Sequence, residues 1–123
     1  MKILESAENY LESIHILKNE LGQVRSVDIA NYLGFTKASV SIAMKQFREN
    51  DYIVIDENGY ITLTPAGLEI AERMYERHEL LTRFFIALGI SEETAKNDAC
   101  RIEHDLSDES FEKIKSFCEK NIF

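Results

Sequence analysis

GFTKASVSIAMKQFRENDYIVIDENGYITL, residues 34–63, is the stretch that decides the fold. Its first half carries apolar residues at a helical spacing, namely Val40, Ala43, Met44 and Phe47. Its second half changes to two runs of β-branched and aromatic residues, which are separated by DENG. An Asn-Gly pair between two such runs is a strong hairpin signal. The stretch therefore predicts a helix followed by a two-stranded hairpin.

Two further helices are predicted before this stretch. Ser6 is expected to cap the first, whose apolar spacing continues to Gly22, and the second begins after Ser26 and stops at Gly34. Thr36 then caps the third helix, which runs to about residue 50. So short a break between the second and third helices is typical of a helix-turn-helix.

The chain after the hairpin is predicted to be helical. Thr64-Pro65 begins a long helix that ends near Gly89, with proline at the first helical position. Two shorter helices follow, capped by Ser91 and Ser107. The sequence thus predicts a mainly α fold, with an N-terminal winged helix-turn-helix and two-stranded wing at residues 1–64. A helical dimerisation domain is expected at residues 65–123.

The composition limits the classes of protein to which the chain can belong. The 123 residues are 45% hydrophobic and 29% charged, which is typical of a soluble globular protein. Apolar runs are far shorter than the roughly 20 residues of a membrane span, and no secretory signal is evident, so we expect a cytoplasmic protein without a membrane partner. The net charge of −8 argues against nucleic acid. The stretch from Ile29 to Arg48, however, has no acidic residue and includes Lys37 and Lys45.

The start of the third helix has the residues expected of a DNA-facing element. Small and hydroxyl side chains there let a helix N-terminus approach phosphates and base edges. Lys45, further along, and Arg25, before the second helix, are candidates for phosphate contacts. The alternative is that Thr36 and Ser39 only cap a surface helix. The candidate DNA-binding residues are Arg25, Thr36, Lys37, Ser39, Ser41 and Lys45.

A second cluster has the chemistry of a metal site. On a helix, Cys100, Glu103 and His104 share one face by their i, i+3, i+4 spacing. A thiol, a carboxylate and an imidazole together suit a transition metal. Taken singly, each residue has an ordinary explanation, since Cys100 is equally consistent with a small buried hydrophobe. No motif for catalysis is present, so the protein is not expected to be an enzyme.

The whole chain resembles the diphtheria toxin repressor family of metal-dependent regulators, which includes the iron-dependent repressors and the manganese transport regulator. The resemblance is carried by five stretches in the family order. They are SAENYLESI from residue 6, ASVS from residue 38, LTPAG from residue 63, RHELL from residue 77 and CRIEH from residue 100.

The resemblance implies a homodimer, in which each winged helix reads half of a palindromic double-stranded DNA operator. It also implies a metal that bridges the first helix to the C-terminal domain. Iron-type members have a cysteine at the position of Cys100, so Fe(II) is favoured and Mn(II) is next. At the position of Asn9, iron-type members have methionine and manganese-type members have aspartate. The family's metal positions fall on Asn9, Glu12, His78, Cys100, Glu103 and His104.

Two other functions remain open from the sequence. One is a winged-helix regulator that senses redox conditions through Cys100 and Cys118. The other is a helical protein that buffers metal and does not regulate genes. The acid-free stretch and the hydroxyl-rich third helix favour DNA binding over metal buffering.

Overall fold

Six helices and one two-stranded antiparallel sheet make up the computed structural model, which describes residues 3–123. This order confirms the predicted mainly α fold with a small wing after a helix-turn-helix. Within residues 3–123, no helix is long and apolar enough to cross a membrane. The elements are α1 (Glu5–Leu21), α2 (Ser26–Leu33), α3 (Lys37–Glu49), β1 (Ile53–Ile55), β2 (Ile61–Leu63), α4 (Pro65–Ala87), α5 (Glu92–Ile102) and α6 (Asp108–Asn121).

The chain forms two compact units, one up to Arg73 and the other from Met74 to Phe123. The division falls inside α4, because the first part of this helix packs on the wing. There Gly67 lies so close to the carbonyl of Tyr52 that an added Cβ would overlap it. The boundary between residues 64 and 65 stays a prediction of where the sequence domains divide.

The helix-turn-helix is formed by local backbone contacts. Gly34 ends α2 in the left-handed conformation (φ 71°), and its N–H donates to Ala30 O at 2.9 Å. Glycine is the residue that adopts this conformation without steric cost. Two residues later Thr36 caps α3, since its Oγ1 accepts from the N–H of Ser39 at 3.1 Å. The inner faces of the three helices bury Leu11, Ile14, Ile29, Val40, Met44 and Phe47.

The wing is a short hairpin whose turn is fixed by one side chain. Ile53 pairs with Leu63 and Ile55 with Ile61. At the tip, Asp56 Oδ1 accepts from the N–H groups of Asn58 and Tyr60, at 2.8 and 2.9 Å. This carboxylate is therefore part of the turn itself.

Two predicted helix starts are wrong by one or two residues. Helix α1 has Leu4, not Ser6, at its N-cap, and the acidic residues of its first turn complement the helix dipole. Helix α2 has Arg25 at its N-cap, one residue before the predicted Ser26. The N–H of Arg25 donates to Asp28 Oδ2 at 2.9 Å, so the carboxylate three residues along stabilises this helix start.

The second unit comprises the rest of α4 with α5 and α6. Both predicted caps are present, because Ser91 Oγ accepts from Thr94 N and Ser107 Oγ accepts from Ser110 N. The turn between α5 and α6, residues 103–107, carries two of the candidate metal ligands. Part of the core of this unit consists of Leu80, Phe84, Phe111, Ile114 and Cys118.

Candidate metal centre and DNA-facing helix

Glu103 lies directly after the last residue of α5 and is fully buried, at 0% exposed. Its backbone keeps a right-handed helical conformation, and its N–H donates to Ala99 O at 3.0 Å. A buried carboxylate is costly unless it is paired, hydrogen-bonded or bound to a metal ion. The surroundings of this side chain therefore decide what it can do.

Two imidazoles flank the Glu103 carboxylate. Nδ1 of His78, on α4, lies 2.9 Å from Oε2, and Nε2 of His104 lies 3.3 Å from Oε1. The His104 side chain is only 2% exposed. Among residues 3–123, no group donates a hydrogen bond to Oε1 of Glu103. The second unit thus brings together three of the sequence-predicted ligands.

This donor set fits a divalent transition metal. Imidazole nitrogen with carboxylate oxygen suits ions such as iron, manganese and zinc. His78 and His104 lie beside different oxygens of the carboxylate, at 2.9 and 3.3 Å, and the shorter separation is that of a hydrogen bond between His78 and Glu103.

The remaining predicted ligand of the second unit, Cys100, is exposed. Helix α5 ends at Ile102, so the expected helix face shared by residues 100, 103 and 104 does not extend to His104, whereas Glu103 keeps a helical backbone. Glu103 and His104 lie in the following turn, where the N–H groups of Asp105 and Leu106 both donate to Ile102 O.

The other cysteine, Cys118, is buried, and desolvation by burial raises the pKa of its thiol. The thiolate is the reactive form of cysteine, so a buried thiol with a raised pKa reacts slowly. Neither Cys100 nor Cys118 forms a disulfide. Burial of Cys118 disfavours the alternative in which the two cysteines sense redox conditions.

Asn9 and Glu12 lie on α1, in the first unit, almost one helical turn apart. Glu12 is buried at 4% exposed, although carboxylates are rarely placed in a core. Asn9 is partly buried, and its main-chain carbonyl accepts from Ser13 Oγ at 2.7 Å. Buried Glu12 has the chemistry of a cation ligand, and ligation by either residue stays a prediction.

Arg77, which the sequence analysis did not single out, contacts the turn that carries Glu103 and His104. Its Nη1 donates to Glu103 O at 3.0 Å and to Leu106 O at 2.6 Å. Its Nη2 donates to Asp108 Oδ1 at 2.6 Å. The partners are 26 to 31 residues away in sequence, so no local pattern could have indicated these contacts.

The candidate DNA-binding residues occupy the exposed side of the first unit. Those on α3 and at its cap are all exposed, while Val40, Met44 and Phe47 are buried on the opposite side. Thr36 Oγ1 also donates to Ser39 Oγ at 2.9 Å, so Thr36 caps the helix and its hydroxyl holds that of Ser39. Capping leaves Lys37, Ser41 and Lys45 as the outward-reaching side chains of this set.

Arg25 and Ile42 complete this surface. The Arg25 guanidinium stacks over Tyr60, 4.5 Å from the ring centroid, which holds the arginine beside the wing. Ile42 is 62% exposed on α3, the most exposed large hydrophobic residue in the part of the chain that the structure describes. Ile42 was not among the predicted DNA-binding residues, although its position opposite the buried Val40, Met44 and Phe47 was a usable signal.

Comparison with known proteins finds matches to both halves of the chain. The N-terminal DNA-binding domain of iron-dependent repressors matches residues 2–65, and their metal-binding and dimerisation domain matches residues 64–121. The chain is similar to the HTH-type transcriptional regulator MntR of Geobacillus kaustophilus, with 38% identity over 109 residues. That alignment covers 89% of this chain and 77% of the relative.

Two further similarities extend the comparison. An uncharacterized HTH-type transcriptional regulator of Methanocaldococcus jannaschii, MJ0568, is 33% identical over 118 residues, which cover 94% of both chains. A manganese-dependent transcriptional repressor, solved with manganese, superposes with a TM-score of 0.80 at 26% identity over 89% of this chain. This chain spans 50% of the length of that structure.

Proposed function

Because the chain belongs to the iron-dependent repressor family of metal-dependent transcriptional repressors, we propose that it is a homodimer whose binding to a palindromic DNA operator is activated by Fe(II) or Mn(II). The observation that carries the proposal is the buried Glu103 carboxylate between the imidazoles of His78 and His104. The remaining proposed ligands are Cys100, Glu12 and Asn9.

In this mechanism the metal would supply positive charge at the proposed ligands. His78, Glu103 and His104 would hold it in the second unit, and Glu12 would hold it from α1. Ligation would then orient α1 and the helix-turn-helix that packs on it. In a dimer, the half-sites lie about one helical turn of DNA apart or multiples of it, so the orientation of the two α3 helices sets the affinity. Coupling between effector and DNA is expected to be roughly 1–3 kcal/mol.

The proposed DNA contacts follow from the exposed surface of the first unit. Lys37, Ser41 and Lys45 reach base edges or phosphates from α3, while Arg25 approaches phosphates beside the wing. Thr36, which caps α3, and Ser39, which it contacts, act at the helix N-terminus. The acid-free stretch from Ile29 to Arg48 supports this surface, because the net charge of the whole chain is −8.

Homodimerisation is supported by exposed apolar side chains on the second unit. Ile86, Leu88, Phe117 and Phe123 are between 41% and 61% exposed. Contiguous apolar patches are typical of association surfaces, and we propose that these side chains contribute to one. We expect the protein to sediment as a dimer at micromolar concentration, and Phe117→Glu to shift it towards monomer.

The choice between Fe(II) and Mn(II) depends on Cys100. Preference for Fe(II) relies on thiolate ligation, whereas two similar proteins are a regulator named MntR and a manganese-dependent repressor. We expect anaerobic titration of the wild type to favour Fe(II), and Cys100→Glu to shift the preference towards Mn(II). An unchanged preference in Cys100→Glu contradicts a selective role for the thiol.

The experiment that tests the function is DNA binding with and without metal. Sequences bound by the protein are first selected from random duplexes in the presence of Mn(II), and their affinity is then measured by fluorescence anisotropy. We expect chelation to weaken binding by at least fivefold, and Glu103→Gln to bind weakly in both conditions. Metal-independent affinity for the selected DNA overturns the switch, and failure to select any sequence supports the metal-buffering alternative.

A further inference from the structure

We infer that Arg77 is a positioning residue for the metal centre, because it sets the turn from which Glu103 and His104 reach their ligand positions. The inference deepens the proposed function and rests on it. The Arg77 side chain does not supply a metal ligand, because a guanidinium is a donor of hydrogen bonds and stays protonated. Its effect would be transmitted through the backbone of residues 103–107.

The Arg77 guanidinium lies at the end of α5. Helix α5 ends at Ile102, and the last carbonyls of a helix have no partner within it. Nη1 of Arg77 donates to the carbonyl of Glu103, the residue after the helix, at 3.0 Å, and to the carbonyl of Leu106, further along the turn, at 2.6 Å. A cation is also favourable at the negative end of the helix dipole. Arg77 therefore takes the part of a C-terminal cap from another helix.

The remaining hydrogen bond of the Arg77 guanidinium reaches α6. Nη2 of Arg77 donates to Asp108 Oδ1 at 2.6 Å, and Asp108 is the first residue of α6. One guanidinium thus joins the end of α5, the turn and the start of α6. The side chain is 5% exposed and its guanidinium lies 5.0 Å from the ring centroid of Phe111. These contacts fix the fork, and lysine cannot reproduce its geometry.

Arg77 is adjacent in sequence to one of the proposed metal ligands. The next residue on α4 is His78, whose Nδ1 lies 2.9 Å from Glu103 Oε2. One helical segment therefore holds the backbone of Glu103 through Arg77 and meets its carboxylate through His78. Arg77 and His78 together therefore set the separation between the His78 imidazole and the Glu103 carboxylate. Residues that orient ligands in this way typically change metal affinity by 10–100-fold.

The test uses variants in the full chain, with a matched control. Arg77→Lys keeps a positive charge without the fork, and Arg77→Met removes all donors. Lys115→Ala is the control, since Lys115 Nζ contacts Glu76 Oε1 at 2.6 Å and also joins α4 to α6 without touching the turn. Circular dichroism first sets a temperature at which each variant is folded. Affinity for Mn(II) and the Co(II) absorption spectrum are then measured.

We expect Arg77→Lys to lower Mn(II) affinity about 10-fold and Arg77→Met up to about 100-fold. The Co(II) spectrum should change in both, while Lys115→Ala retains the wild-type affinity and spectrum. In chelator, hydrogen exchange at the amides of Asp105 and Leu106 should be faster in Arg77→Lys than in wild type.

Two results overturn the inference. Wild-type Mn(II) affinity in a folded Arg77→Met shows that the turn is positioned without Arg77. An equal loss in Lys115→Ala shows that general stability of α4 and α6 is responsible. If wild-type protein itself fails to bind Mn(II) and Co(II), the proposed function fails together with the inference. Should Arg77→Met be unfolded, Arg77→Lys and its hydrogen exchange decide the matter.

Discussion

Nδ1 of His78 and Oε2 of Glu103 lie 2.9 Å apart, joining α4 to the turn after α5 around a fully buried carboxylate. This pair is 25 residues apart in sequence and forms the centre of the proposed metal site. It also defines the most direct test of that site, because a carboxylate and an amide have nearly the same shape and different charge.

Glu103→Gln should remove high-affinity metal binding, since the amide lacks the negative charge that a divalent ion needs. Thermal unfolding measures this through linkage. With Mn(II) at 100 times its dissociation constant, the wild type gains about 2.7 kcal/mol, and the variant gains little. Glu112→Gln, an exposed substitution on α6, should behave as wild type. Equal metal stabilisation of all three proteins contradicts ligation by Glu103.

The two cysteines should differ in reactivity towards a thiol reagent. Cys100 is exposed, whereas burial raises the pKa of Cys118 and limits its thiolate fraction. In native metal-free protein at pH 8 we expect rapid labelling of Cys100 and slow labelling of Cys118, located by mass spectrometry. Urea should make both reactive.

The same labelling tests Cys100 as a ligand. Bound Mn(II) or Fe(II) should slow its modification by at least tenfold if the thiolate ligates, because a coordinated sulfur is a poor nucleophile. Cys118→Ser serves as the background for this measurement. Unchanged labelling with saturating metal excludes thiolate ligation and removes the basis for preferring Fe(II).

Lys45→Ala should weaken DNA binding to a similar extent for all sequences, because a phosphate contact carries no base information. The slope of the logarithm of affinity against the logarithm of salt concentration should fall by about 1. Lys120→Ala is the charge-matched control, because Lys120 is exposed near the end of α6, and it should leave the slope unchanged. A slope that is the same in Lys45→Ala and wild type rules out the contact.

Ile42→Asp should weaken specific DNA binding by more than 10-fold without loss of stability, since the residue is 62% exposed on α3. A carboxylate here would face phosphates, and the apolar contact would be lost. Leu21→Asp is the matched control, because Leu21 is 56% exposed at the end of α1. Equal DNA affinity in the two variants indicates that this face of α3 does not meet DNA.

Gly67→Ala should destabilise the first unit by about 1–3 kcal/mol, as overpacking typically does. The added methyl group would overlap the main-chain carbonyl of Tyr52, and backbone cannot move as a flexible side chain can. Urea unfolding measures the effect. Glu69→Ala, on the exposed side of α4, should change stability by less than about 0.5 kcal/mol.

The sequence by itself determined the order of helices and strands, because apolar period, caps and turns are local properties. The end of α2 is marked by Gly34, the start of α3 by Thr36 and the hairpin turn by the Asn-Gly pair, and these signals do not depend on tertiary contacts. It also indicated Glu103 and His104 as candidate ligands by their residue types. Local patterns were less reliable at helix ends, because Leu4 and Arg25 occupy N-cap positions although neither is a residue type favoured there.

Only the tertiary structure decided which side chains meet. That Glu103 is buried between two imidazoles, that Arg77 holds its turn and that Cys100 is exposed all depend on how α4, α5 and α6 pack. The contacts of Glu103 with His78 and Arg77 join residues 25 and 26 apart, and their geometry is selected by burial of the whole unit. No spacing rule along a single helix contains that information.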